Sequence, residues 1–250
     1  MKKLILHVPH ASSEIPILDG FLISKAQIEG EILKLTDWHT EDLYDSVDCD
    51  RIVFEYSRVF CDPERFSDDA DEPMAKLGMG VLYEKTDTLE PMRHITPELR
   101  KRILEGYYFK HHARLNAAVK NQLELAGQAL ILDCHSFPDT PLNRTSHKVL
   151  PRPDFNIGTD SFHTSQRLID ISVAFFEERN LSLGIDYPFN GSIVPMEYYQ
   201  KNSKVQSIML EVNRRLYLKE GSQEKSENYE DTKAHVQAFI ELLQEEVLLD

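Results

Sequence analysis

The sequence contains few of the features that mark secreted or membrane-bound proteins. Its three cysteines, Cys49, Cys61 and Cys134, form no C-x-x-C pair, and their odd number leaves at least one thiol unpaired, as is usual in a reducing compartment. No window approaches the run of about 20 apolar residues that a membrane helix needs, and the apolar stretch after the first two lysines is too short for a signal peptide. We therefore expect a cytoplasmic protein with no membrane contact.

Positive charge is also scarce. The chain has 28 Lys and Arg against 42 Asp and Glu, which gives a formal net charge of -14. Because binding of a polyanion requires clustered Lys and Arg, we expect no nucleic-acid partner. A small anionic substrate can still be bound by a few arginines, since the local geometry of a pocket decides its affinity and net charge does not.

Two signatures of hydrolytic enzymes are missing as well. No G-x-S-x-G turn surrounds Ser136, so a serine nucleophile of the α/β-hydrolase type is not favoured. The chain also has no H-E-x-x-H, so the local spacing of its histidines identifies no metal site. A catalytic or metal site in this chain must therefore be formed by residues that are distant in the sequence.

The polar residues that remain as candidates follow short apolar runs. Such runs, rich in Leu and Ile, are typical of buried parallel strands, and ligands bind at the carboxyl ends of these strands. We therefore predict that His10, His135 and Glu211 meet at one edge of a sheet. The three runs cover residues 4–6, 129–132 and 207–210.

Helical periodicity and capping residues alternate with these strands and indicate a single α/β domain over residues 1–250. We predict helices over 24–35, 41–47, 96–126, 164–179 and 231–248, and further strands over 51–56 and 181–185. A proline-rich loop is predicted over 138–158, and a loop of this length is usually functional or mobile.

We hypothesise that His10 and His135 bind one metal ion, with a carboxylate as third ligand and water as fourth, the open arrangement of catalytic zinc. Asp37 and Glu14 are both possible third ligands, and the sequence leaves the choice open. The alternative is a pair of hydrogen-bonded histidines at the sheet edge without an ion. Further acidic candidates are Asp62 and Asp133, the latter as a residue that supports His135.

Glu211 interrupts an apolar run, where a carboxylate is costly unless it is paired. It is either half of a structural ion pair or a poised general base, and both interpretations stay open. Arg58 and Arg65 bracket an apolar loop and are suited to bidentate contacts with a substrate carboxylate. Asn213 and Arg214, at the end of the last strand, complete the predicted substrate-binding set.

With these residues identified, the chain resembles the N-formylglutamate amidohydrolase family. No single segment is specific, but the segments occur in the order of the family and cover most of the chain. The matching segments are 7–16 (HVPHASSEIP), 36–45 (TDWHTEDLYD), 57–65 (SRVFCDPER), 78–86 (GMGVLYEKT), 132–139 (LDCHSFPD), 153–159 (PDFNIGT) and 210–217 (LEVNRRLY).

The resemblance implies a three-layer αβα sandwich with a mixed, mostly parallel sheet, like that of the zinc-dependent carboxypeptidases and acylases. It also implies hydrolysis of an N-formyl or N-acyl amino acid that carries a carboxylate, with zinc or another divalent metal on His10, Asp37 and His135 and with Glu211 as general base.

Two rival functions remain. Asp37 and His39 form the D-x-H of metal phosphoesterases, although the other elements of that class are missing. A non-enzymatic module that binds a carboxylated small molecule is the second rival.

Overall fold

The computed structural model describes residues 3–145 and 147–249, with side chains through residue 245. The strands described there are β1 (Ile5–Val8), β2 (Asp50–Val53), β3 (Ala129–Phe137), β4 (Phe155–Gly158), β5 (Leu183–Ile185) and β6 (Val205–Asn213). They form one sheet in the order β2-β1-β3-β6-β4-β5. Strands β1, β2, β3 and β6 are parallel, whereas β4 pairs antiparallel with β6 and parallel with β5. The prediction of a mixed, mostly parallel α/β sheet is confirmed.

Most helices begin where the sequence predicts. Ser24 and Gln27 form a reciprocal capping box, and Thr96 accepts a hydrogen bond from the Leu99 amide. A π-helical turn, Leu104–Tyr108, joins two of the helices. No helix within the described residues is long and apolar enough to cross a bilayer. The helices are α1 (Lys25–Leu35), α2 (Thr40–Leu43), α3 (Pro97–Ile103), α4 (Phe109–Ala126), α5 (Gln166–Glu178) and α6 (Tyr229–Leu249).

Helices cover both faces of the sheet, which gives three layers. Along β3, Leu130 and Leu132 pack in one apolar cluster with residues of α5 and α6, such as Phe176. Ile131 points the other way and packs with Leu115 of α4. This alternation follows from the two-residue period of a strand.

The same period places polar side chains on the α4 side of the sheet. Asp133 and His135 continue the row that begins with Ile131, and the register sets His7 beside Asp133 and Glu211 beside His135. His7 contacts His111 of α4 through its Nε2 atom, at 2.8 Å. The carboxyl ends of three parallel strands therefore deliver these groups to one side of one edge.

Several predicted elements differ from the structure. The strand predicted over 51–56 ends at Val53, and the helix predicted over 96–126 is interrupted by the π-helical turn. The predicted loop over 138–158 contains β4 in its last four residues; this strand is short and follows Pro153, so the proline-rich pattern conceals it. The predicted helix over 41–47 ends at Leu43. The next residue, Tyr44, is buried, and its hydroxyl lies within hydrogen-bond distance of the carbonyls of His135 and Leu210.

Candidate active site

Three predicted metal ligands, His10, Asp37 and His135, converge in the structure. The Nδ1 atoms of His10 and His135 are 3.2 Å apart, and the Asp37 Oδ2 atom lies 3.1 Å from the His135 Nδ1 and 3.7 Å from the His10 Nδ1. Ligands bonded to a tetrahedral zinc at about 2.0–2.1 Å are about 3.3 Å apart, so this spacing suits one shared ion. All three residues are buried.

The opposite nitrogens of the two imidazole rings are held by carboxylates. The His10 Nε2 lies 2.8 Å from Asp62 Oδ1, and the His135 Nε2 lies 3.1 Å from Glu64 Oε2 and 3.2 Å from Asp133 Oδ1. Such contacts fix the orientation and tautomer of a metal-binding histidine. They leave both Nδ1 atoms available to face the same point.

Charge in the cluster is arranged to favour a cation. Burial opposes the charged form of His135, but Glu64 and Asp133 outweigh it and hold the pKa of that ring well above its usual range. Burial would raise the pKa of Asp37, but the neighbouring His10 and His135 rings and the charge of Arg214 outweigh it, so the pKa is lowered and the carboxylate stays ionised. Without a metal, a proton on His135 supplies the positive charge that these carboxylates require.

Asp37 is also held from the outer side of the site. Its Oδ1 accepts a hydrogen bond from Arg214 Nη2 at 2.8 Å, and its Oδ2 accepts one from the Ser136 amide at 3.2 Å. The Asp37 amide donates to the His10 carbonyl at 3.0 Å, which ties the residue after α1 to the loop after β1. Helix α1 thus positions Asp37, and Arg214 fixes its carboxylate.

Glu211 lies beside His135 in the sheet and shares a cavity with all three candidate ligands. Its Oε2 atom is buried and has no hydrogen-bond partner in the described part of the chain. Burial, assisted by the charge of Asp37, raises the pKa of Glu211 to about 8. A carboxyl group with this pKa can both accept and release a proton near neutral pH.

The cavity has a volume of about 330 Å³, and four arginines line it: Arg58, Arg65, Arg144 and Arg214. Arg58 donates to Asp62 Oδ2 at 2.9 Å and to the Tyr83 hydroxyl at 3.2 Å. The Nε of Arg65 is 3.9 Å from Asp62, too far for a hydrogen bond. Substrate-binding candidates on the 57–65 segment therefore reach the same cavity as the metal-binding candidates.

Other predicted residues do not reach the cavity. Asn213 is fully buried, and its amide donates to Asp139 Oδ1 at 2.8 Å and to the Pro153 carbonyl at 3.0 Å, so its side chain holds loops together. Glu14 is exposed, whereas Asp37 lies within the cluster, which supports Asp37 as the third ligand. His39 Nε2 donates to the Gln223 carbonyl at 2.8 Å, outside the cavity.

Several residues of the site were not singled out by the sequence analysis. His7 bridges Asp133 and His111, and Glu64 contacts His135. His7 precedes His10 by three residues and ends an apolar run, which is a usable signal. Glu64 lies in a charged loop whose conformation no local pattern predicts.

Comparisons with known proteins show which family the chain resembles. A sequence model of the N-formylglutamate amidohydrolase family matches residues 2–218. The chain belongs to this family. The resemblance stated from the sequence is therefore confirmed.

Two of the similar proteins carry names of this family, and a third shares the fold. An N-formylglutamate deformylase of Pseudomonas putida is 26% identical over 232 residues, which cover 87% of this chain and 82% of that protein. The crystal structure of an N-formylglutamate amidohydrolase from Ralstonia eutropha JMP134 has a TM-score of 0.85 at 22% identity, covering 98% and 93% of the two chains. A gene product of Agrobacterium tumefaciens has a TM-score of 0.68 at 17% identity, covering 99% of this chain and 90% of that one.

The part of the chain that matches the family contains the whole cluster described above. Helix α6 lies beyond residue 218 and packs on the face of the sheet opposite α4. The family match therefore covers the polar edge of the sheet together with the loops that carry the arginines.

Proposed function

We propose that this chain is a metal-dependent hydrolase that cleaves the amide bond of an N-formyl or N-acyl amino acid, with N-formylglutamate as the type of substrate. The convergence of His10, Asp37 and His135 beside Glu211 in one cavity carries the proposal. The names of the family relatives support the substrate type. The three cysteines, all free and buried, suit a reducing compartment and support a cytoplasmic location.

The donor set suits zinc or a similar divalent ion. Two imidazoles and one carboxylate are the protein ligands of many catalytic zinc sites, which keep a fourth position open. Carboxylates behind each imidazole provide the orientation that such ligands need. An ion held by His10, Asp37 and His135 would polarise the acyl carbonyl and would lower the pKa of a bound water towards about 7.

In this mechanism Glu211 transfers the proton. Its carboxylate removes a proton from the attacking water and then delivers that proton to the amine nitrogen as the C–N bond breaks. The unpartnered Oε2 leaves one oxygen free to accept the proton, and a pKa near neutrality makes both transfers feasible.

Arginines bind the substrate and orient a metal-binding carboxylate. Arg58 and Arg65 bind the substrate carboxylate, and Arg65 has the freer guanidinium, because its Nε makes no hydrogen bond with any described residue. Arg214 acts on Asp37 and keeps that carboxylate turned towards the histidines. Asn213 supports the loops at the end of β6.

The proposal is tested by measuring metal binding and hydrolysis separately. Protein stripped with a chelator is titrated with zinc in a calorimeter, and hydrolysis of N-formyl-L-glutamate is followed by release of the amine. We expect one ion per chain, loss of tight binding in Asp37→Asn, and unchanged binding in the matched control His39→Asn. Hydrolysis by the fully stripped protein would contradict metal dependence.

The rival functions predict different results. Ligand binding by the wild-type chain without metal binding or turnover would favour a module that binds carboxylated molecules. A phosphoesterase would hydrolyse phosphate esters and require His39, which lies outside the cavity. We expect neither result.

A further inference from the structure

Arg144, like Arg65, lines the cavity with a hydrogen-bonding capacity that is mostly unused. The residue is 6% exposed and lines the cavity. Its Nη1 donates to the Lys85 carbonyl at 2.9 Å, but Nε and Nη2 have no hydrogen-bond partner among the described residues. Buried donors in folded proteins are nearly always paired, so an unpaired guanidinium on a cavity wall indicates a missing acceptor.

The surrounding structure holds Arg144 in place before any ligand arrives. Asp87 accepts hydrogen bonds from the Arg144 amide at 3.3 Å and from the Asn143 side chain at 2.8 Å, which anchors the loop. The guanidinium carbon lies 5.3 Å from the centre of the Tyr83 ring. Little side-chain entropy is therefore lost when a ligand binds there.

The carboxylates that the structure describes near Arg144 and Tyr83 do not hydrogen-bond to the free N–H groups of Arg144. Asp62 accepts hydrogen bonds from Arg58, from the Tyr83 hydroxyl at 2.6 Å and from the Glu64 amide at 3.0 Å. The closest approach of Asp87 to the Arg144 guanidinium is 3.9 Å, at Nε. The free N–H groups of Arg144 therefore remain available to an anion in the cavity.

Arg58 and Arg144 contact different parts of Tyr83. Arg58 reaches the Tyr83 hydroxyl, whereas Arg144 lies against the Tyr83 ring from the loop after β3. The repulsion between Arg58 and Arg144 is one of the influences that, after burial, lower the pKa of Arg144. A ligand with two separate carboxylates can engage both groups at once.

We propose that Arg144 is a specificity-determining residue that binds the side-chain carboxylate of the substrate, while Arg58 and Arg65 bind the carboxylate next to the reacting amide. This inference rests on the proposed function, because it assumes that the cavity binds an N-acyl amino acid. It makes the enzyme selective for N-acyl derivatives of acidic amino acids over neutral ones of the same length.

The test compares ligands that differ only in the side-chain carboxylate. Calorimetry gives the affinities of metal-loaded wild type, Arg144→Met and Arg144→Lys for L-glutamate and L-norvaline, and kinetics give kcat/KM for the two N-formyl derivatives. A lost charged hydrogen bond corresponds to about 10- to 100-fold in affinity. We expect Arg144→Met to lose that factor for glutamate and its derivative only, and Arg144→Lys to recover part of it.

Arg152→Lys is the matched control. Arg152 is an equally buried arginine near the same loop, but it donates to the Pro138 and His147 carbonyls and does not line the cavity. We expect this variant to keep the wild-type preference for glutamate.

Three results would overturn the assignment: wild type that binds both ligands equally, Arg144→Met with an equal loss for both, or Arg144→Met with no loss. If the Met variant does not fold, the Lys variant decides, because its selectivity must fall while its melting temperature stays near that of Arg152→Lys. Selective binding of glutamate without any turnover would leave Arg144 assigned and would reject only the proposed hydrolysis.

Discussion

At the scale of single residues, Glu211 shows a conflict between stability and chemistry. Its carboxyl group is buried beside Asp37 without a partner for Oε2 among the described residues, and its pKa is raised to about 8. A group with a raised pKa contributes its full stability below the unfolded pKa of about 4.5 and loses it as the pH rises through the folded value. The metal-free protein should therefore lose stability between about pH 4.5 and pH 8.

We predict that Glu211→Gln stabilises the metal-free protein and lowers the activity of the metal-loaded protein. The amide cannot ionise, so at pH 8.5 the variant should exceed wild type by on the order of 3 kcal/mol in the free energy of unfolding. Loss of the general base should lower kcat by about 100- to 10,000-fold after metal is restored. Urea unfolding at several pH values and steady-state kinetics measure both effects. Equal stability of the two proteins at high pH would show that ionised Glu211 does not destabilise the folded protein.

The sequence allowed some of the site to be predicted at this scale. His10, His135 and Glu211 were predicted together because strand ends meet at one edge, and the structure places them in one cavity. The choice between Asp37 and Glu14 depends on how the loop after β1 meets the end of α1, which no local pattern encodes. Glu64 was missed for the same reason: the conformation of its loop decides its position.

At the scale of elements, β4 is the strand at which the sheet changes direction, because it pairs antiparallel with β6. A Cβ atom on Gly158 would lie 2.2 Å from the Gly191 carbonyl oxygen, and the neighbouring Asn190 lines the cavity. Glycine at this position allows close approach of the segment that borders the cavity.

We predict that Gly158→Ala destabilises the protein by more than about 2 kcal/mol, because the methyl group collides with backbone that must move. Gly30→Ala is the control: no atom lies within 4 Å of the added Cβ in α1, so a gain of up to about 1 kcal/mol is expected. Equilibrium unfolding in urea gives both values. Similar stability of the two variants would contradict the close packing at Gly158.

Elements with strong local signals were predictable, and those set by neighbours were not. The capping residues Ser24 and Thr96 identified two helix starts within one residue of the structure. Strand β4 has only four residues, and its pairing with β6 depends on contacts across more than 50 positions of sequence. Its antiparallel direction could not be read from its composition.

At the scale of the whole molecule, the buried His111 and the half-buried His112 make the stability of the fold depend on acid. Burial is the main cause that lowers the pKa of His112, to about 4, and it also lowers the pKa of His111. In the unfolded chain these rings take up protons near pH 6.5, so the unfolded state gains protons first as the pH falls. Stability should therefore be lost between about pH 6.5 and pH 4.

We predict that His112→Gln reduces this acid sensitivity by roughly 2 kcal/mol over that range. His94→Gln, at an exposed histidine, should leave the pH dependence unchanged. Unfolding in urea between pH 7 and pH 4 compares the three proteins. The same slope in wild type and His112→Gln would show that the ring is protonated in the folded state.

The last strand of the chain is also an inner strand of the sheet. Strand β6 lies between β3 and β4, so neither of these can complete its pairing until Val205–Asn213 has left the ribosome. Nascent chains before that point carry two open edges, a state that invites aggregation and slows folding. Because β6 also carries Glu211, the segment that closes the sheet is the one that brings the proposed proton-transfer group to the cavity. Under the proposed function, a chain in which β6 has not yet paired cannot turn over substrate.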